Sequence, residues 1–154
     1  MALMQEQEWL PSPEPGALVC AGMDGSDSND WTAIRAETID GLQFTPRYGP
    51  DRRPMVWNPA EWGGQIPRSE VYAAVDELFE VYGVARMYCD PHDWYTDIGE
   101  WALRYGEDHV FEWPTNQPNR MYSEIRRFEV DLAEGRIKHD GCPLANVHFA
   151  NARK

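Results

Sequence analysis

Asp24 and Asp90 are the two residues whose type and placement most directly suggest chemistry. Each comes at the end of a short apolar run, Leu18 to Met23 and Val84 to Cys89. Ligands in open α/β sheets gather where strands end at their carboxyl termini. If the two runs are neighbouring parallel strands, both carboxylates enter one crevice. Two carboxylates held together repel, and one resists ionisation unless a cation lies between them. Mg²⁺ and Mn²⁺ take hard oxygen ligands of this kind. Two such ions, about 3.5–4 Å apart, activate a water and stabilise the leaving oxygen in phosphodiester cleavage. Each aspartate also has a plainer reading, because Asp is a common turn former and helix cap. Asp90, directly before Pro91, fits that reading well. Asp27 and Asp30 share the acidic loop 24–30 and read first as turn residues that can assist a metal.

A rival site is built from Cys89-Asp-Pro-His92 and His139-Asp-Gly-Cys142, since zinc favours paired Cys and His ligands. Cys89 weakens it by lying inside an apolar run. Basic residues cluster as Arg52 with Arg53, Arg120 with Arg126 and Arg127, Arg136 with Lys138, and Arg153 with Lys154. They suit phosphate contacts, or solvated helix faces paired with acids such as Glu124 and Asp131. The sequence has no Walker-type phosphate loop and no Gly-x-Ser-x-Gly nucleophile motif.

The elements that would position these groups can be read from hydrophobic period. Residues 1–17, broken by Pro11, Pro13, Pro15 and Gly16, read as an irregular leader, and 18–154 as one domain. Strands are expected at Leu18 to Met23, Trp31 to Ile39 and Leu42 to Tyr48, the last two joined by an Asp40-Gly41 turn. A Pro/Gly-rich connection covers 49–66. Val71, Ala74, Val75, Leu78, Phe79 and Tyr82 fall at helical spacing, with Ser69 as the expected cap and Gly83 as the stop. A strand at Val84 to Cys89 follows, then a helix with Trp94, Ile98, Trp101, Ala102 and Tyr105 on one face. His109 to Trp113 reads as a strand. A third helix carries Met121, Ile125, Phe128 and Leu132. Arg136 to His139 is extended, and Pro143 to Ala152 forms a last helix. Three strands followed by helix-strand alternation predict an α/β domain with a mixed sheet flanked by helices.

Composition narrows the function classes. The chain has 154 residues, enough for one domain, and a net charge of -12 from 26 acidic and 14 basic residues. A domain that holds DNA alone is usually basic, so any DNA would be held mainly by other elements. Three cysteines without a secretory segment indicate a reducing compartment. The longest apolar stretch near the start is too short to cross a membrane.

Several segments together resemble the terminase large subunits of tailed phages, particularly those of actinobacterial hosts. They are Gly22-Met-Asp-Gly-Ser26 with Asp30-Trp-Thr-Ala33, Tyr88-Cys-Asp-Pro91 with Trp94, and Glu112-Trp-Pro-Thr-Asn116 with Arg120-Met121. His139-Asp-Gly with Pro143-Leu144, His148 and Asn151-Ala152 completes the set. The match runs from about Leu18 to the end. It implies a ribonuclease H-like fold and a Mg²⁺- or Mn²⁺-dependent endonuclease that cuts concatemeric double-stranded DNA during packaging. It implies a phage or prophage protein working in the cytoplasm of the bacterial host. It also implies partners in the terminase ATPase part, the small terminase subunit and the portal, and no membrane. Asp24 and Asp90 match the family's first two metal-binding aspartates. The family's third carboxylate, on a later helix, is expected beyond Lys154, so the domain reads as lacking its last segment and the ATPase half. Asp140, in the His-Asp-Gly segment, is a tentative further metal ligand and otherwise a turn residue. Cys142 stands where relatives often carry an acid. The alternative implied is a catalytically incomplete terminase fragment acting in assembly or persisting as a remnant.

Overall fold

A computed structural model describes residues 8–152. The first apolar run becomes strand β1 (Leu18–Asp24), in which Val19, Ala21 and Met23 are buried and the alternate residues point to the other face. That alternation is what a sheet covered on one side requires. Strand β2 (Thr32–Thr38) lies antiparallel to β1, with Asp24 opposite Ala33 and Gly22 opposite Arg35. It turns at Asp40-Gly41 into β3 (Leu42–Phe44). Gly41 has φ +90°, and a Cβ there would stand 2.0 Å from the Arg136 carbonyl oxygen. The turn therefore needs glycine for both conformation and space. Gly41→Ala is expected to cost about 3 kcal/mol from left-handed strain and overpacking, read as a lower midpoint in urea unfolding followed by Trp fluorescence.

The strand expected over Leu42 to Tyr48 is interrupted. It leaves the ladder at Thr45-Pro46, where proline has no N–H to donate. A small hairpin, β4 (Arg47–Tyr48) with β5 (Arg53–Pro54), projects there. The ladder resumes with β6 (Val56–Trp57), paired with the beginning of β2. The 49–66 connection thus contains two short strands and a 3-10 turn at Pro59–Trp62.

Helix α1 (Arg68–Val81) buries Val71, Ala74, Val75 and Leu78. It begins one residue before Ser69, with Pro67 at its N-cap and no side-chain cap, so Ser69 does not cap it. Strand β7 (Gly83–Cys89) runs parallel to β1, pairing Met23 with Cys89. Helix α2 (Tyr95–Tyr105) buries Ile98 and Trp101 and lies beside α1 through the Phe79–Tyr105 ring stack at 4.1 Å. Strand β8 (Val110–Glu112) is parallel to β7. After helix α3 (Pro118–Ala133), β9 (Lys138–His139) joins β3 in parallel, and α4 (Pro143–Asn151) follows. The result is an α/β fold: a mixed seven-stranded sheet in the order β8-β7-β1-β2-β3-β9, with β6 also on β2, and four α-helices among the described residues.

The two faces of the sheet differ. The core lies between the sheet and α1 and α2, where Trp57, Trp94 and Trp101 are buried. On the other side α3 turns Phe128 toward Cys20, Glu37 and Tyr88 across a recess of about 580 Å³. Neither α3 nor α4 buries a residue fully, and Ile125 and Leu132 remain about half exposed. The periodicity of α3 is real, but its apolar stripe only thinly covers the sheet.

Residues 8–17 form no helix or strand, as expected, yet they are held. The Leu10 N–H donates to the Asp140 carbonyl at 2.8 Å, and the Gly16 N–H to the Val81 carbonyl at 2.7 Å. The Arg47 guanidinium lies 3.8 Å from the Trp9 ring centroid. The rest of the leader and the Arg153-Lys154 pair fall outside the described residues.

Candidate metal site

Asp24 ends β1 and Asp90 follows the last residue of β7, so the parallel pairing puts them side by side at the carboxyl ends of two neighbouring interior strands. The Asp90 N–H donates to the Met23 carbonyl at 3.1 Å, which extends the ladder by one step and sets the register of the pair. Adjacent strands are about 4.8 Å apart. Burial first, then the negative charges of Asp90 and Asp30, push the Asp24 carboxyl above its ordinary value. The side chain keeps access to solvent, so this penalty is partly screened.

Glycine and tryptophan shape the loop beside Asp24. A Cβ on Gly25 would stand 2.6 Å from the Trp94 ring. Trp94 packs there because glycine leaves room, and its indole N–H donates to the Ser26 carbonyl at 3.0 Å. The Arg68 guanidinium lies over that indole, 4.1 Å from the ring centroid, and pairs with Asp97 and with Asp27 at 3.2 Å. Asp27 is thus engaged by Arg68. Asp30 accepts from the Trp31 N–H at 2.7 Å, and its own N–H donates to Ser26 Oγ at 3.2 Å. It shapes the turn and adds charge near Asp24.

Asp90 is oriented by two donors, the His92 N–H at 3.2 Å and the Thr115 hydroxyl. The first is the turn-forming contact that Asp90-Pro91 suggested. The second was not foreseen. Thr115 lies in Glu112-Trp-Pro-Thr-Asn116, whose approach to Asp90 follows from the Trp113 N–H bond to the Cys89 carbonyl at 2.7 Å. Arg68 was also missed, because an isolated arginine at a helix start has no spacing signature.

Asp140 is elsewhere. It follows β9 at the far edge of the sheet and is 2% exposed. Oδ1 accepts from Arg35 and from the Cys142 N–H, both at 3.1 Å. Oδ2 accepts from the Thr45 N–H at 2.9 Å and the Trp9 indole at 3.2 Å. Both oxygens are committed to the fold, and the structure does not bring Asp140 to the Asp24–Asp90 pair. The four zinc candidates also separate. Cys89 is buried in the core, where desolvation pushes its thiol up to about 12, His92 is exposed, and Cys142 is buried beyond β9. Among the described residues, no group of three or more His, Cys, Asp or Glu is arranged to hold a metal ion.

The donor set at these strand ends is therefore two carboxylates, one raised in part by the other. That suits Mg²⁺ or Mn²⁺, which Mg²⁺-type sites hold by one or two carboxylates while keeping waters and taking phosphate oxygens. It does not suit zinc, whose structural sites need four closed ligands.

One arginine of each described basic cluster is paired at the surface, while Arg53, Arg120, Arg127 and Lys138 form no ion pair among the described residues. Arg52 meets Glu77 at 2.7 Å, Arg126 meets Glu129 at 3.7 Å, and Arg136 meets Asp131 at 2.7 Å and also Glu134. Among the described residues, no helix is long and apolar enough to cross a membrane.

The chain is 30% identical over 149 residues to the Gene 13 protein of Mycobacterium phage L5 and, equally, to that of Mycobacterium phage D29. It is similar to phage proteins. The alignment takes in 90% of the chain but 24% of either relative, so the chain spans about a quarter of the length of the curated relatives it matches. No protein-family model matches it, and no solved structure does.

Proposed function

We propose that the chain is the nuclease part of a phage DNA-packaging terminase large subunit, a Mg²⁺- or Mn²⁺-dependent endonuclease acting on double-stranded phage DNA. The observation that carries the reading is the placement of Asp24 and Asp90 at the ends of adjacent parallel strands, where the charge of Asp90 adds to the cost of ionising Asp24. The strand order supports a ribonuclease H-like fold. Three antiparallel strands, β1 to β3, are extended by β7 and β8 parallel to β1. Similarity to mycobacteriophage proteins supports a phage or prophage origin and action in the bacterial host.

In this reading Asp24 and Asp90 hold the cation, and Thr115 and the His92 N–H fix the Asp90 carboxylate. A bound ion would supply a water activated near neutral pH and offset charge on the phosphate. The net charge of -12 fits a module whose DNA is held mainly by its partners, the ATPase part, small terminase subunit and portal. One observation favours a second reading, a catalytically incomplete module used in assembly. Among the described residues no third acid joins the pair in a metal-holding cluster, and Asp140 is occupied elsewhere.

Nicking of supercoiled plasmid separates the two. The nuclease reading expects relaxation by the purified chain with Mn²⁺ and none with EDTA. Stoichiometric Mn²⁺ binding without nicking would favour the incomplete module. Absence of both would remove the metal assignment.

A further inference from the structure

We infer that the recess between β7, β8 and helix α3, beside the aspartate pair, is a binding platform for a single DNA strand, with Tyr88 and Trp113 as its stacking surface. The inference rests on the proposed function only in taking DNA as the ligand. Tyr88 is opposite Gly22 and two residues before Asp90, on the face away from α1 and α2. Two residues along a strand span about 7 Å, or roughly two phosphate steps of a stacked strand. Gly22 adds no side chain beside Tyr88, and a Cβ there would meet nothing within 4 Å. Phe111 stacks on Tyr88 with centroids 5.6 Å apart, and Trp113 meets Tyr88 edge-on at 5.5 Å. All three rings are partly exposed.

The charges around these rings point to an anionic, aromatic partner. Arg120 lies 4.0 Å from the Trp113 centroid and Arg86 lies 5.4 Å from that of Phe111. Tyr88, Trp113, Glu124 and Arg127 line a recess of about 450 Å³, within the roughly 300–1,000 Å³ typical of ligand pockets. In a chain with 26 acids, neither Arg86, Arg120 nor Arg127 forms an ion pair among the described residues. Rings that accept base faces, bordered by arginines without carboxylate partners, are how sequence-tolerant single-strand sites are built. A duplex keeps its bases stacked on one another, so it offers such rings only a frayed or opened segment.

Fluorescence anisotropy with the whole 154-residue chain tests this, in EDTA and low salt, using fluorescein-labelled oligodeoxythymidylate and a duplex of equal length. The single strand is expected to bind more tightly than the duplex and to quench tryptophan emission. Trp113→Leu is expected to weaken single-strand binding about tenfold and remove most of the quenching. Arg120→Gln, on the exposed start of α3, is expected to weaken binding several-fold and flatten its salt dependence, and it keeps the test valid if the Trp113 variant does not fold. Failure to bind the single strand, equal or better binding of duplex, or indifference to both the Trp113 and Arg120 substitutions would overturn the platform. Ring-dependent binding without nicking would uphold it while removing the nuclease reading.

Discussion

Asp24→Asn is expected to reduce Mn²⁺-dependent nicking at least about a hundredfold while making the metal-free protein more stable at neutral pH. The first effect follows from losing one of two carboxylate ligands, when a bound cation contributes several kcal/mol to stabilising the charged transition state. The second follows from the cause of the raised Asp24 carboxyl, which is burial together with the charges of Asp90 and Asp30. A carboxyl that holds its proton more tightly folded than unfolded favours the fold below the unfolded value. That benefit is lost as pH rises from about 3.8 through the raised folded value. At neutral pH the ionised group is then a net cost, which asparagine avoids. Thermal melts at pH 4 and pH 7, with and without Mn²⁺, read both effects. The stability advantage of the variant should open between those two pH values. Mn²⁺ should raise the wild-type midpoint by binding the folded state and leave the variant nearly unmoved. A variant less stable than wild type at pH 7, or one stabilised equally by Mn²⁺, would contradict the assignment of Asp24 as a metal ligand.

The pairing of Asp24 with Asp90 was legible because it depends on two local facts, apolar runs of strand length and an aspartate at the end of each. Only the parallel adjacency of the runs had to come from the fold, and right-handed crossover connections make that adjacency common. What surrounds the pair was not legible. Thr115 reaches Asp90 from 25 residues away along the chain, and Arg68 reaches Asp27 from 41. Contacts between loops of different strands leave no periodicity to read. The interruption of the third strand had a local sign in Pro46, but the apolar and aromatic residues on either side argued for continuity. Helix α3 illustrates the opposite error. Its apolar spacing correctly predicts a helix, yet Ile125 and Leu132 stay about half exposed, because period says nothing about how closely a face packs.

Asp140 is the clearest case of a residue whose type suggested chemistry and whose surroundings give it another role, and its substitution should distinguish them. Asp140→Ala is expected to cost about 3 kcal/mol, toward the low end for breaking a buried ion pair because Arg35 keeps 23% exposure. The loss leaves Arg35 without its carboxylate, with only Thr45 Oγ1 and the Gln43 carbonyl as acceptors, and removes the side-chain acceptor of the Thr45 and Cys142 N–H groups and the Trp9 indole. These four donors come from β2, the end of β3, the start of α4 and residues 8–17, so one carboxylate ties four segments to the sheet edge. At roughly 2–4 °C per kcal/mol for a chain of this size, the melting midpoint should fall by roughly 6–12 °C. Asp140→Asn keeps the shape and one acceptor but turns an NH₂ toward N–H donors, so it should fall between wild type and alanine. If Asp140 were a metal ligand, asparagine would weaken Mn²⁺ binding out of proportion to its effect on stability. The geometry predicts the reverse: a clear loss of stability for both variants, with Mn²⁺ affinity of the folded protein, measured by titration below the melting range, unchanged from wild type.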